Sequence, residues 1–311
     1  MQATKVAIVT GGASGIGRGL CEEMGRRGGI VVVTDINEEG ARIVAQKINE
    51  QGGQAEALRM DVTDPDAVHA VVEQVVRDYG QLDYLYNNAG IAIACEVRDM
   101  TYARWQRIVD INLWGVIHGV QEAYPVMIEQ GFGHIINVAS MAGIVANVIS
   151  PAYTATKFAI VGLTKALRIE ARPLGVNVSL VCPASVETGI RDAMRFVHTD
   201  RQAYLQALAE SRKTQWFARI WDADTAAEYI LDRVNENADL ILLPPSARKI
   251  RWVAQLFPGY VEKVQRNLLE RFRQFRIEDK KTGPGIEGIA YGQDLLVWFV
   301  CSSGLCVFAF G

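Results

Sequence analysis

The stretch VAIVTGGASGIG, residues 6–17, decides the fold. A short apolar run, which predicts a strand, leads into a turn rich in glycine, and an amphipathic stretch that predicts a helix follows. Glycines permit a tight turn and a close approach of backbone N–H groups to an anion, whose charge the helix N-terminus stabilises. The spacing T-G-x-x-x-G-x-G therefore predicts a strand-turn-helix unit that binds a pyrophosphate, although the turn alone would also fit a simple connection. The turn residues predicted to contact the cofactor are Gly11, Ser14, Gly15, Ile16 and Gly17.

A carboxylate ends the second predicted strand, at Asp35. At this place it can accept hydrogen bonds from the ribose hydroxyls of a dinucleotide. It would also repel a 2′-phosphate, and neither Ile36 nor Asn37 supplies a cation that would bind one. Together with the glycine turn, Asp35 predicts NAD rather than NADP. Without the glycines, Asp35 would fit a solvated strand end equally well.

Apolar runs alternate with longer amphipathic stretches as far as residue 245. This alternation predicts an α/β fold with a doubly wound parallel seven-stranded sheet and helices on both faces. The predicted strands lie near residues 5–10, 30–35, 55–60, 82–87, 134–138, 176–182 and 239–243. The predicted helices lie near residues 15–28, 38–51, 65–79, 101–131, 151–172 and 223–236.

Several further motifs follow one another along residues 4–245. They are Asp61-Val62, Asn87-Asn88-Ala89-Gly90, Asn112, Ser140, Tyr153-x-x-x-Lys157 and Pro183-x-x-Val186-x-Thr188. With the glycine turn, this set resembles the short-chain dehydrogenase/reductase family. The resemblance implies a Rossmann fold and an NAD-dependent oxidoreductase that acts on CH–OH groups, either an alcohol dehydrogenase or a carbonyl reductase. The chain departs from the family at Ala184, where glycine is frequent.

Tyr153 and Lys157 suit the proton transfer that this reaction needs. Reducing a carbonyl requires a proton donor, and oxidising an alcohol requires a base. A phenol with its ordinary pKa of about 10 is a weak base at neutral pH, so a neighbouring cation should stabilise its charged form. Four residues apart on a helix, the two side chains share a face. The alternative is an ordinary half-exposed pair of helix side chains.

The resemblance assigns the remaining roles. The catalytic set is Asn112, Ser140, Tyr153 and Lys157, in which Ser140 hydrogen-bonds the reacting oxygen and Asn112 holds a water that links the lysine to solvent. Besides the turn and Asp35, the residues implied to contact NAD are Asp61, Val62, Asn88, Ala89, Gly90, Tyr153, Lys157, Pro183, Val186 and Thr188. Asp61 could instead simply end a strand, and the run from Asn87 to Gly90 also suits an ordinary turn.

Composition and charge exclude several other classes of protein. Half of the 311 residues are apolar and the formal net charge is −3, which favours a folded globular protein without broad attraction to nucleic acid. The cysteines and histidines show neither a C-x-x-C pair nor ligand-like spacing, so we expect no metal and no disulfide framework. Reduced thiols and the absence of a signal-like N-terminus favour a cytoplasmic location.

The chain beyond the fifth helix carries three less regular segments. Residues 187–221 interrupt the alternation and predict a substrate lid, whose side chains Met194, Phe196, Val197, Tyr204, Trp216 and Phe217 would line an apolar site or pack the lid onto the body. Residues 246–281 predict a basic amphipathic helical extension, since residues 248–281 carry 10 basic and 4 acidic side chains. Residues 282–311 comprise a loop rich in glycine and an uncharged apolar tail.

These features predict residues 1–245 as a dinucleotide-binding and catalytic domain that transfers a hydride between nicotinamide and an alcohol or ketone. The alternative function is a dinucleotide-binding sensor or membrane scaffold without turnover. The resemblance also implies a homodimer or homotetramer. The basic extension and the apolar tail allow peripheral contact with an anionic membrane, or packing at an oligomer interface.

Overall fold

The computed structural model describes residues 4–184, 186–187, 194–212 and 220–277, with residues 208–212 described as backbone only. Its strands are β1 (Val6–Thr10), β2 (Ile30–Asp35), β3 (Gln54–Arg59), β4 (Tyr84–Asn87), β5 (Ile93–Ala94), β6 (Gly133–Val138), β7 (Val176–Pro183), β8 (Arg195–Phe196) and β9 (Leu240–Leu243). Seven of them form one parallel sheet in the order β3-β2-β1-β4-β6-β7-β9. The predicted sheet is confirmed, with all seven strands in the places expected from the sequence.

Helices alternate with the strands along the chain. They are α1 (Gly15–Arg26), α2 (Glu38–Glu50), α3 (Pro65–Tyr79), α4 (Tyr102–Val109), α5 (Gly115–Gln130), α6 (Pro151–Ala171), α7 (Arg201–Arg212), α8 (Ala223–Asn235), α9 (Ala247–Leu256) and α10 (Pro258–Arg273). Side-chain caps fix several starts: Asn37 accepts from the Gly40 amide, and Asp64 from the Asp66 and Ala67 amides. Such caps satisfy first-turn N–H groups that have no acceptor inside the helix.

Two apolar layers cover the sheet. One joins the strands to α1, α2 and α8 through side chains such as Leu20, Ile48 and Ile230. The other joins them to α3, α5 and α6 through side chains such as Val72 and Ile160. Because both faces are buried, the central strands are almost continuously apolar, as the sequence predicts.

The strand order reverses between β1 and β4, which lie side by side and are followed by connections on opposite faces of the sheet. In open parallel sheets, ligands bind outside the carboxyl ends of the strands at this switch point. The glycine turn follows β1 and the run from Asn87 to Gly90 follows β4, so both candidate segments meet there.

The structure differs from the prediction of one helix over residues 101–131. A π-helical turn, Asp110–Trp114, separates α4 from α5. The turn places Asn112 fully inside the protein, where its side chain bonds both backbone groups of Ile91. A two-stranded parallel sheet between β5 and β8 was also not predicted, because two-residue strands leave no readable period.

The helical part of the extension lies in the same compact unit as the sheet, residues 1–277. It forms two helices, and Pro258 begins the second of them, since proline tolerates the first turn of a helix but disrupts its interior. None of the described helices combines the length and apolarity needed to span a bilayer. The apolar tail predicted over residues 282–311, and Trp216 and Phe217 of the lid, lie outside the described residues.

Candidate functional site

The glycine turn is too tight for side chains at several positions. Gly11 and Gly15 have φ angles of 67° and 54°, a left-handed backbone that favours glycine. A Cβ on Gly17 would lie 2.1 Å from the carbonyl oxygen of Gly11 and 2.5 Å from Nδ2 of Asn88. The turn therefore brings backbone directly against the N-terminus of α1, the geometry in which first-turn N–H groups bind a phosphate.

Asp35 is fixed at the rim of this turn. Its Oδ2 accepts a 3.1 Å hydrogen bond from the Ala13 amide, and its Oδ1 accepts a 2.9 Å bond from the Asn37 amide. These bonds hold the carboxylate between the glycine turn and the start of α2. A carboxylate oxygen can accept further bonds, so Asp35 retains capacity for ribose hydroxyls.

The segment after β4 is tied to the glycine turn through Thr10. The Thr10 hydroxyl accepts hydrogen bonds from the amides of Asn88 (3.0 Å) and Ala89 (2.9 Å). The Asn88 side chain donates to the carbonyl oxygens of Thr10 and Gly11 at 2.9 and 3.3 Å. The structure thus brings Gly11, Asn88 and Ala89 together. In the sequence, Thr10 was considered only as part of the glycine motif, and the bridging role of its hydroxyl was missed. A threonine that ends a strand directly before the glycines is the sequence feature that could have indicated this role.

Asp61 and Val62 follow β3, the edge strand that lies two strands away from β1 at the switch point. Asp61 accepts bonds from the amide and hydroxyl of Thr63, at 2.9 and 2.8 Å, which shapes a local turn. Val62 is buried against Gly115, and its carbonyl oxygen lies 2.9 Å from Nδ1 of His118. These contacts fit the simpler interpretation of Asp61 and do not test its contact with a cofactor.

Ser140 and Tyr153 flank the cleft at the end of β6. Ser140 begins a short helical turn, and its Oγ accepts a 3.1 Å bond from the Ala142 amide. Tyr153 lies in the first turn of α6, which starts at Pro151. Burial raises the pKa of Tyr153, and a hydrogen bond with Ser140 offsets only part of that rise. The phenol therefore stays protonated at neutral pH.

Lys157 lies one helical turn beyond Tyr153 and is almost completely buried, with 3% of its surface exposed. Its Nζ donates a 2.9 Å hydrogen bond to the carbonyl oxygen of Val138 and lies 5.5 Å from the centroid of the Tyr153 ring. Burial lowers the pKa of Lys157 to about 8. The expected fall in the Tyr153 pKa does not appear in this structure, because burial of the phenol dominates and the ammonium bonds a strand carbonyl instead.

Asn112 meets Lys157 against Gly90. A Cβ on Gly90 would lie 3.3 Å from Asn112 Oδ1 and 3.6 Å from Lys157 Nζ. The Asn112 amide donates to the Ile91 carbonyl (3.0 Å) and to the Thr156 hydroxyl (3.4 Å), and Oδ1 accepts from the Ile91 amide (2.8 Å). Both amide hydrogens are thus used by protein groups, so a water held by Asn112 would have to bind another of its atoms.

The structure describes two of the three residues predicted to contact the nicotinamide end of the cofactor, Pro183 and Val186. Pro183 ends β7, the Ala184 amide bonds the Leu243 carbonyl at 2.8 Å, and Val186 is buried in a bridge with Trp221. Ala184 does not have the left-handed backbone that favours glycine, so alanine fits where the family often has glycine. Thr188 lies outside the described residues.

Cys182 is a second residue that sequence reasoning passed over. Its thiol is fully buried, accepts a hydrogen bond from the Ser140 amide and lies close to Lys157. Burial raises its pKa to about 12, so it is a neutral, packed thiol at neutral pH. A lone cysteine at the end of a strand carries no signal of such a position.

Known proteins match this chain in sequence and in structure. The family model described as short chain dehydrogenase matches residues 5–196. A 3-alpha-(or 20-beta)-hydroxysteroid dehydrogenase of Mycobacterium tuberculosis is 39% identical over 188 residues, which are 60% of this chain and 71% of the relative.

Two solved structures extend the comparison. A short chain dehydrogenase/reductase from Burkholderia phymatum in complex with NAD has a TM-score of 0.72 and 29% identity, over 81% of this chain and 93% of that chain. A metagenomic short-chain oxidoreductase in complex with NADP has a TM-score of 0.56 and 36% identity, over 58% and 82%. Because the family model covers more than half of the chain and the fold agrees, this protein belongs to the short-chain dehydrogenase family and is an oxidoreductase that acts on CH–OH or carbonyl groups with a nicotinamide cofactor.

Proposed function

We propose that this protein transfers a hydride between NAD and the carbon of an alcohol or ketone, with Tyr153 as the group that gives and takes the proton. The observation that carries this proposal is the meeting of Ser140, Tyr153 and Lys157 beside the glycine turn, at the carboxyl edge of the sheet. Bound there, NAD would accept the hydride in oxidation, and NADH would give it in reduction. The tight turn at Gly11 and Gly17 and the rim carboxylate of Asp35 fit such a group.

In the direction of reduction, Tyr153 is the acid. The raised pKa keeps its hydroxyl protonated, so the proton is available as charge develops on the carbonyl oxygen. The Ser140 oxygen accepts a hydrogen bond from the Ala142 amide. The hydrogen of the Ser140 hydroxyl is therefore free to be donated to the carbonyl oxygen of the substrate or to Tyr153. A fixed donor of this kind stabilises the developing charge.

In the direction of oxidation, the phenol must lose its proton and act as the base. Lys157 is charged at neutral pH, because its pKa of about 8 still lies above 7. In the protein as it stands this ammonium donates to the Val138 carbonyl, but it lies 5.5 Å from the centroid of the Tyr153 ring and would attract a phenolate formed there in a site of low dielectric. Lys157 thus serves the step in which the phenol carries charge.

Substrate turnover is the direct test of this proposal. We infer a lipophilic substrate, because apolar side chains, among them Ile93, Cys95, Ala152 and Val197, pack with Tyr153. A similar protein also carries the name of a hydroxysteroid dehydrogenase. Loss of NADH absorbance should follow addition of a bulky ketone such as decalone or a steroid ketone, and be weaker with acetone or dihydroxyacetone.

The outcomes separate the competing functions. Turnover of small polar carbonyls alone would contradict the lipophilic substrate while keeping the oxidoreductase. NADH binding without turnover of any alcohol or ketone would contradict hydride transfer and favour the sensor or scaffold.

Cofactor choice should depend on the charge of Asp35. Two unit charges 5 Å apart at an effective dielectric of 20 repel by about 3 kcal/mol, which corresponds to roughly a hundredfold in binding. We therefore expect kcat/KM with NADH to exceed that with NADPH by about this factor. The Asp35→Asn variant should lose most of the difference, since it keeps an oxygen for the Ala13 amide and removes the charge.

Asp64→Asn is the matched control, because Asp64 is a helix-capping carboxylate at the start of α3. It should keep the preference for NADH. An unchanged cofactor ratio in Asp35→Asn would show that Asp35 does not select NAD.

Assembly and location stay predictions of the sequence. Large apolar side chains are exposed in the single chain, among them Trp114 of the π-helical turn and Phe158 and Ile169 of α6, which suits the expected homodimer or homotetramer. Trp252 and Leu256 of α9 are exposed beside basic residues, which suits either an oligomer interface or the contact with an anionic membrane. A cytoplasmic location is likewise an expectation from the sequence alone.

A further inference from the structure

The last described helix, α10, packs at its end against α7. Its Phe272 is 2% exposed and meets the ring of Tyr204 edge-on, with ring centroids 5.2 Å apart. Phe275 approaches the same ring at 6.0 Å, and Phe196 of β8 lies 5.8 Å from it. An aromatic cluster therefore joins the extension to α7 and β8, two elements of the predicted lid.

Arg273, the last residue of α10, and Arg276, three residues later, bind acidic residues that follow β5. Arg273 contacts both oxygens of Glu96, with Nη2 2.6 Å from Oε2. Arg276 makes a bidentate pair with Asp99, with both bonds at 2.7 Å. The carboxylate side chains are only 9% and 7% exposed. Planar bidentate pairs of this kind fix geometry as well as charge.

The same helix reaches the loop that leads into α6. Gln265 accepts a hydrogen bond from the Val148 amide, with the two atoms 3.4 Å apart. The Cys95 amide in turn bonds the Ile149 carbonyl at 2.9 Å, so the segment held by the arginines is itself tied to this loop. Ile149 lies four residues before Tyr153. Contacts of α10 thus converge on both segments that border the catalytic phenol.

We propose that α10 is part of the substrate-binding machinery and that Arg273 and Arg276, through Glu96 and Asp99, are positioning residues that select bulky lipophilic substrates. The ion pairs hold residues 93–99 and 147–149 in the arrangement that forms one wall of the substrate cleft. This role rests on the proposed function of Tyr153. It requires no direct contact of either arginine with the substrate.

The electrostatics favour these ion pairs. Hydrogen bonds from Arg273 and Arg98 hold the pKa of Glu96 below its usual value, and Arg276 does the same for Asp99. Both carboxylates are therefore charged at neutral pH. Arg98 also donates to Glu96, at 2.7 Å, so we expect Glu96 to keep a partner when Arg273 is replaced, whereas replacing Arg276 removes the bidentate partner of Asp99.

The test is the double variant Arg273→Ala/Arg276→Ala, measured with NADH, decalone and acetone. We expect KM for decalone to rise about tenfold or more, with acetone turnover and the Kd of NADH unchanged. Arg273→Lys/Arg276→Lys should restore part of the loss, since lysine keeps the charge without the planar fork. The matched control is Arg266→Ala, on the same helix, whose pair with Glu262 at 2.8 Å faces solvent.

Other outcomes overturn the proposal. Equal loss with both ketones and with NADH binding would indicate general damage to the fold, and no loss at all would show that the ion pairs do not position the cleft. Hydrogen exchange of the Cys95 and Val148 amides gives a readout without turnover. Faster exchange at both should accompany the double variant, and unchanged protection would refute the role of the ion pairs. Failure of the wild-type protein to oxidise or reduce any substrate would instead refute the function of Tyr153.

Discussion

The Tyr153→Phe variant is expected to lose about a thousandfold in kcat while it binds NADH as tightly as the wild-type protein. General acid-base catalysis by a positioned side chain contributes typically 10²–10⁴-fold. The substitution removes only the hydroxyl and keeps the ring that packs with Ile93, Ala152 and Val197. Stopped-flow measurement of NADH consumption and fluorescence titration of NADH would separate the two quantities.

A second tyrosine makes a matched control for this experiment. Tyr102 lies on α4 and is 86% exposed, so Tyr102→Phe should leave both kcat and cofactor binding unchanged. If Tyr153→Phe retained most of its turnover, the proton would have to come from another group. If it lost NADH affinity in parallel with activity, the hydroxyl would act in binding rather than in proton transfer.

The sheet could be predicted from the sequence because its determinants are local. The run Val31-Val32-Val33 is apolar at successive positions, which is typical of a strand buried on both faces. The glycine turn likewise has its own constraint in the backbone angles of Gly11 and Gly15. In each case neighbouring residues alone decide the structure.

The features that escaped prediction depend on contacts between distant parts of the chain. The π-helical turn coincides with the hydrogen bonds between Asn112 and Ile91, 21 residues earlier. The pairing of Arg276 with Asp99 joins residues 177 positions apart. Basic residues between apolar ones indicate an amphipathic helix, but nothing in their spacing identifies the acidic residues that they bind.

The candidate site divides in the same way. The four-residue spacing of Tyr153 and Lys157 places them on one helix face, and the structure brings them together. The acceptor of the lysine, the carbonyl oxygen of Val138, lies on a neighbouring strand and could not be read from that spacing. The depth of burial, which sets both pKa values, also arises only when α6 packs on the sheet.

The Lys157→Met variant is expected to lose at least about a hundredfold in activity and yet to be more stable than the wild-type protein at pH 7. Folding lowers the pKa of Lys157 from 10.5 to about 8, which costs on the order of 3 kcal/mol below pH 8. Methionine fills a similar volume without charge. The substitution leaves the Val138 carbonyl without its donor, a cost of about 1–3 kcal/mol, so the net gain is roughly 1 kcal/mol.

The dependence on pH distinguishes this explanation from a simple gain in packing. The pKa of Lys157 is lower in the folded state than in the unfolded state, so between about pH 8 and 10.5 the folded wild-type protein has lost this proton while the unfolded chain still holds it. The wild-type protein therefore gains stability relative to the variant as the pH rises through this window. The advantage of Lys157→Met should therefore shrink over this window and then reverse, since neutral lysine still donates to Val138. Chemical denaturation of both proteins at several pH values measures the difference. A constant difference across the window would show that Lys157 is not a buried, destabilising cation, and the role of its charge beside Tyr153 would lose its physical basis.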